Sequence, residues 1–173
     1  MRRFASILHL DTSVLLPLLD KNGKVVPRDQ TIALRRFRYR LPRENKKVKI
    51  SAVALGEVLK KVIETGYLEL IEELKEFALR MGENLELCYF PRFRNSYYNF
   101  NNILQQFLDA DDYLRDRPAD AIILVIATLD READILYTMD NSILLNRKIK
   151  NVVNNVRKVN CFKRLKISSP PGR

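Results

Sequence analysis

One histidine, two cysteines, five glycines and no tryptophan in 173 residues leave several chemistries without their side chains. With His9 as the single histidine, neither a two-imidazole acid–base scheme nor a zinc site of several histidines can be built. His9 lies inside a short apolar run, which points to a structural role. Cys88 and Cys161 lack metal-binding spacing and read as two free, partly buried thiols rather than a disulfide. There is no Gly-x-x-x-x-Gly-Lys loop, so nucleotide hydrolysis of the P-loop kind is excluded. Five glycines and seven prolines leave little room for long linkers. No apolar run reaches the roughly 18 residues a spanning helix needs. Asp11 interrupts the first apolar run and no small-residue cleavage site follows, so we expect no signal peptide, no membrane partner and a cytosolic chain.

What is abundant is positive charge, unevenly placed. The formal net charge is +10. Residues 20–49 carry eleven Lys/Arg against three acids, and residues 141–173 carry nine Lys/Arg and no acid. Residues 50–140 carry seventeen acids against nine Lys/Arg. An acidic middle between basic segments suits a metal-dependent enzyme acting on a polyanion, with acids for the metal and bases for phosphate. A nucleic acid is the expected partner. At 46% hydrophobic and 30% charged, the length fits one domain with a sizeable core.

Periodicity predicts strands at 4–10, 48–50, 85–90 and 134–139, and helices at 14–19, 31–39, 53–65, 68–81, 103–113 and 118–128. Ser51 is a predicted helix cap, Gly66 and Gly82 are stops, and Asp116-Arg117-Pro118 is a helix start. The apolar run from Ala121 to Ala127 reads as a buried helix. Residues 141–142 read as a turn, 152–160 as a last helix or strand, and the tail from Ser168 as disordered. In 31–49, Arg35, Arg36, Arg38, Arg40 and Arg43 interleave with Phe37 and Tyr39. That mixture suits phosphate contact with base stacking, or equally a solvated helix with two core-facing aromatics. Residues 91–102, with four Asn among aromatics, stand out without a clear assignment. Strands alternating with helices imply a mostly parallel central sheet with helices on both faces, a three-layer α/β/α sandwich.

Four acids fall where such a sheet would gather them. Asp11 ends the first apolar run, Asp140 follows the run from Ala133 to Met139, and Glu57 and Asp120 lie in helices beside them. Ligand sites of open α/β sheets lie beyond the carboxyl ends of strands. Carboxylates gathered there repel one another unless a hard cation holds them. Mg²⁺ or Mn²⁺ is therefore the expected cofactor. Asp109, Asp111, Asp112 and Asp116 compete with Asp120 for its role.

The segments Leu8-His9-Leu10-Asp11-Thr12-Ser13, Ser51 to Val58, Asp120 to Ala127 and Tyr137-Thr138-Met139-Asp140, in that order, resemble the PIN domain, a family of metal-dependent ribonucleases that includes VapC-type toxins. The resemblance covers residues 4–145. It implies a PIN-like nuclease domain over 1–145 with a basic insertion-like segment at 20–49, followed by a basic extension at 146–173. It implies that Asp11, Glu57, Asp120 and Asp140 are metal ligands and catalytic, supported by Ser13 and Thr138. It also implies one or two ions, products with 5′-phosphate and 3′-hydroxyl ends, an antitoxin partner and a homodimer. Asn141 and Ser142 stand where many members carry a further acid. The alternative from another class is a catalytically weak RNA-binding protein of a ribonucleoprotein assembly. A haloacid-type phosphohydrolase would need a second acid at position 13, where Ser13 stands.

Overall fold

A computed structural model describes residues 5–89 and 99–171. Five strands form one sheet: β1 (Ser6–Leu10), β2 (Lys46–Ser51), β3 (Leu85–Cys88), β4 (Ile135–Tyr137) and β5 (Lys166–Ser168). Their order is β3-β2-β1-β4-β5 and every pairing is parallel. The chain steps from β1 outward to β3, then crosses back to β4 on the other side of β1. The strand order therefore reverses between β1 and β4, which is where an open α/β sheet leaves a crevice at its carboxyl end.

Helices cover both faces. On one side α1 (Thr12–Leu19) packs against α2 (Arg28–Arg40), α3 (Ala52–Thr65) and α4 (Glu69–Met81). On the other, α5 (Phe100–Ala110) leads through α6 (Asp112–Asp116) to α7 (Pro118–Leu129), and α9 (Arg147–Val159) packs on α5 and α7. The short α8 (Asn141–Leu144) follows β4. The expected three-layer α/β/α sandwich is the fold observed.

Local chemistry explains most boundaries. Ser51 caps α3 by accepting from the Ala54 amide at 3.0 Å, and Gly66 ends it at φ 67°. A left-handed residue there costs glycine little. The apolar run at 121–127 is the buried helix expected, since Ala121 and Ile123 to Leu129 are all buried in α7. A helix apolar all round belongs between layers. Asp20 accepts from the amides of Lys24, Val25 and Val26 at 2.9, 2.7 and 2.9 Å, tying the turn after α1.

Five readings differ from the structure. The helix expected at 103–113 is two helices, because Asp111 is extended and its carboxylate caps the Tyr113 amide at 2.9 Å. A short acid capping its own downstream amide competes with helix continuation. Residues 141–142 open a helical turn capped by Asp140 rather than a plain turn. The last helix starts earlier, at Arg147, with Asn146 as its cap at 3.1 Å to Ile149. The tail expected to be disordered from Ser168 begins on the last residue of β5, Pro170 beyond it is buried, and residues 172–173 lie outside the described residues. Three strand residues are too few for an alternation to register. The strand expected at 134–139 is shorter, Ile135–Tyr137. Of the unusual stretch 91–102, residues 91–98 lie outside the described residues, as does Phe90 of the expected third strand.

Residues 146–173 supply α9 and the edge strand β5. Arg157 fastens this segment to the body. It is 1% exposed and donates to the carbonyls of Thr128, Asp130, Ala133 and Lys163 at 3.0, 2.9, 3.0 and 2.5 Å. One guanidinium thus closes the turn between α7 and β4 and the turn between α9 and β5.

Candidate metal centre

β1 delivers Asp11 to the crevice, where its amide bonds the Tyr137 carbonyl of β4 at 3.0 Å. Asp11 is 2% exposed. Its Oδ2 accepts from the hydroxyls of Ser13 at 2.6 Å and Thr138 at 2.7 Å. Its Oδ1 is buried with no hydrogen-bond partner among the described residues. The two hydroxyls also join the strand ends. Ser13 Oγ accepts from the Met139 amide at 2.9 Å, and Thr138 Oγ1 accepts from the Asp140 amide at 3.1 Å.

Asp140 caps α8, its Oδ1 accepting from the Ser142 amide at 2.7 Å and its Oδ2 from the Tyr113 hydroxyl at 2.5 Å. Glu57, in the second turn of α3, accepts from the Thr12 hydroxyl. Asp120 lies in the first turn of α7, whose dipole favours a carboxylate there. Each acid thus arrives from a different element.

The four carboxylates share one field. Burial and the charges of Asp11, Glu57 and Asp140, with Arg117 opposing, push Asp120 up to about 7. Burial raises Asp11 as well, against the pull of Ser13, Thr138 and the Thr12 amide, and Asp140 adds to the rise. Burial and the Asp140 carboxylate push Tyr113 up to about 12, so its hydroxyl stays a donor. A cation between these acids would lower Asp120 and Asp11 together and give the buried Oδ1 of Asp11 its partner. The donor set is all carboxylate oxygen, the kind Mg²⁺ and Mn²⁺ prefer. On those two observations the residues fit the ion.

Three contacts escaped the sequence reading: Thr12 on Glu57, Tyr113 on Asp140, and Arg117 beside Asp120 and 4.9 Å from the Tyr113 ring. Only the proximity of Arg117 to Asp120 in the chain hints at any of them. Three of the four competing acids are engaged elsewhere, Asp112 through Arg115 at 3.4 Å. Asp111 caps α6 and accepts from Asn146, and Asp109 pairs with Arg115 at 3.3 Å.

The arginines of 35–43 need one correction. Arg38 is 5% exposed and donates to the Leu18 carbonyl and to Glu73, both at 2.6 Å, so it binds the fold rather than RNA. Arg40 pairs with Glu44, which also holds Lys46 at the start of β2, the pole of the sheet opposite the four acids. Arg35, Arg36 and Arg43 are exposed. Phe37 is buried edge-on against Tyr137, while Tyr39 is exposed.

Among the described residues, the His/Cys/Asp/Glu group whose ligand atoms all lie within 4.8 Å is not the four acids but His9, Cys88 and Asp130. We read it as a built-in ion network. His9 Nε2 and Lys49 Nζ each lie 2.8 Å from the same Asp130 Oδ2, so an ammonium already stands there. Burial pushes the Cys88 thiol up to about 11, which keeps it protonated. Removing one partner of a buried pair strands the other. Lys49→Met is therefore expected to cost about 3 kcal/mol in urea unfolding. A loss within about 0.5 kcal/mol would show the pair to be dispensable.

No family model matches the chain, and no curated protein does. A chain of the crystal structure of VapBC2 from Rickettsia felis, bound to a DNA fragment from their promoter, is similar in fold at TM-score 0.51 and 18% identity, over 82% of this chain and 94% of that chain. The likeness is one of fold alone.

Proposed function

We propose that the chain is an Mg²⁺- or Mn²⁺-dependent endoribonuclease in which Asp11, Glu57, Asp120 and Asp140 hold the metal. The observation that carries this reading is the buried, unpartnered Oδ1 of Asp11 beside an Asp120 whose ionisation the other three acids oppose. When bound, such an ion acidifies a water, orients it for attack on phosphorus and stabilises the leaving oxygen. The chain's own groups do the positioning. Ser13 and Thr138 hold Asp11 through Oδ2, leaving Oδ1 as the open donor atom. Tyr113 and the Ser142 amide fix Asp140, and Thr12 fixes Glu57. Asp120, pushed up to about 7 by burial and the other three acids, suits the group that orients the attacking water. No imidazole or lysine base is required, and the products would carry 5′-phosphate and 3′-hydroxyl ends.

The nuclease motifs span 1–145, and the basic segment that follows completes the same sheet with α9 and the edge strand β5. The α3–α4 hairpin exposes Leu59, Ile63, Leu68, Ile71 and Leu79, a surface suited to an antitoxin or a second copy. No helix among the described residues is long and apolar enough to cross a membrane.

The test is cleavage of a pool of labelled structured and single-stranded RNAs with Mg²⁺ or Mn²⁺ against EDTA. Wild type should cut only with metal, and Asp11→Asn should lose at least about 10²-fold in rate, the loss of roughly 3 kcal/mol of transition-state stabilisation. Cutting in EDTA, or by Asp11→Asn at the wild-type rate, would sink the reading. Binding without cutting under either metal would favour an RNA-binding protein of a ribonucleoprotein assembly.

A further inference from the structure

We infer that the groove between α9 and β5 is the lane along which the backbone of single-stranded RNA runs to the four acids. This rests on the nuclease reading and assigns that site its substrate track. The groove, about 430 Å³, is lined by Lys150 and Asn154 from α9 and by Arg164 and Lys166 from the β5 side, over Val153, Leu165 and Ile167. Among the described residues, Lys150, Arg164 and Lys166 pair with no carboxylate. Nearby Lys163 does, holding Asp134 at 2.6 Å. On α2, by comparison, Arg38 and Arg40 are already neutralised by Glu73 and Glu44, which leaves Arg35 and Arg36 exposed. Unpaired cations side by side, with no acid anywhere in 141–173, make a surface that only a polyanion complements.

The lane also points to the acids. Lys150 and Asn154 lie one turn apart on α9, so they share a face. Arg164 and Lys166 are two residues apart, and Lys166 opens β5. Just beyond the groove, both walls continue toward the metal centre. On the strand wall, the Ser168 carbonyl accepts from the Thr138 amide at 3.1 Å, and Thr138 is the residue that holds Asp11. On the helix wall, Asn146 caps α9 and donates to Asp111, which caps the helix bearing Tyr113. The lower end of the groove lies toward Arg157, at the opposite pole. A strand held by the cations thus reaches the carboxylates that would otherwise repel it. The exposed Lys166 also guards an edge strand from pairing with another chain, but edge protection needs neither Lys150 nor Arg164.

The test uses the Asp11→Asn chain, so that the probe is not cut, and a short fluorescent single-stranded RNA of mixed sequence. Its Kd is read at several KCl concentrations with and without Lys150→Gln/Arg164→Gln/Lys166→Gln. A control, Lys60→Gln/Lys75→Gln/Arg80→Gln, removes the same charge from α3 and α4. Loss of three phosphate contacts should lower the log Kd–log salt slope by about 2, at roughly 0.7 per contact for a single strand. At low salt the groove variant should bind at least tenfold more weakly, and the control should follow the parent. Five of the six side chains are exposed and Lys150 is half-buried, and unchanged Tm values would show that the variants fold. An unchanged slope in the groove variant, or an equal fall in the control, would overturn the lane while metal-dependent cutting by wild type kept the nuclease reading. Preferential binding of duplex DNA through the same three residues would overturn the RNA assignment. Failure of the parent to bind RNA at any salt, with no cutting by wild type, would overturn both.

Discussion

Asp120→Asn should make the metal-free protein more stable at neutral pH and, on the nuclease reading, remove its response to metal and its cleavage of RNA. In the folded chain Asp120 holds its proton up to about pH 7, against a usual aspartate value of 3.8. The folded state therefore binds more protons than the unfolded one between those values. The sign follows from linkage: stability falls as pH rises from about 4 to about 7, then levels off, because above pH 7 both states have lost the proton. Asp11, raised by burial, adds to the same trend. Mg²⁺ or Mn²⁺ should reverse the fall at pH 7 and above by binding the folded form alone. Asn at 120 keeps the shape and removes one of the repelling charges, so its Tm at pH 7.5 without metal should exceed that of wild type. The metal-induced rise in Tm should be largely lost. The cleavage rate should fall by about 10²-fold or more. Thermal melts across pH 4–8, with and without Mn²⁺, read all of this. A wild-type Tm that climbs steadily from pH 4 to 7 in EDTA would show that the four acids do not burden the fold. Exchange of stability for activity at one residue is characteristic of functional sites.

The second large effect belongs to Arg157. Its buried guanidinium donates to four carbonyls at 3.0 Å or less, from two separate turns. Arg157→Met fills much of the volume and leaves those carbonyls without a donor. Each buried polar group so orphaned costs about 1–3 kcal/mol. Allowing for relaxation, the expected loss is about 4 kcal/mol, enough to take a large part of a typical domain's stability. Arg157→Lys should recover little, because three donors on one nitrogen cannot span a fork that reaches both turns. Urea unfolding of the three proteins distinguishes the cases. A loss below about 1 kcal/mol for Met would mean that water or neighbouring amides replace the guanidinium.

The parts of this molecule that sequence reading reached share a trait. The strands β1 and β2, the buried α7, and the Ser51 and Gly66 signals are each specified by residues near in the chain. Asp11 and Asp140 were legible as a pair because each closes an apolar run at the end of a strand. What stayed hidden depends on partners distant in the chain. Tyr113 reaches Asp140 across 27 residues and Thr12 reaches Glu57 across 45, and neither pattern has a local signature. Arg38 shows the reverse error. In sequence it is one of five arginines in a basic run, and only α1 and α4 folding around it reveal that it is structural. β5 was missed because a strand of three residues takes its identity from the neighbour it pairs with, β4.

The central place of β1 sets a schedule for synthesis. β1 leaves the ribosome early, yet one of its two sheet neighbours, β4, is made more than a hundred residues later, and the Thr138–Asp11 bond joins positions 127 apart. At about 5–20 residues per second, that interval is on the order of ten seconds. Throughout it the first acid exists without the fourth, and no partly made chain can assemble the metal centre. On the nuclease reading, the messenger RNA being translated lies within reach of a growing protein that cannot yet cut it.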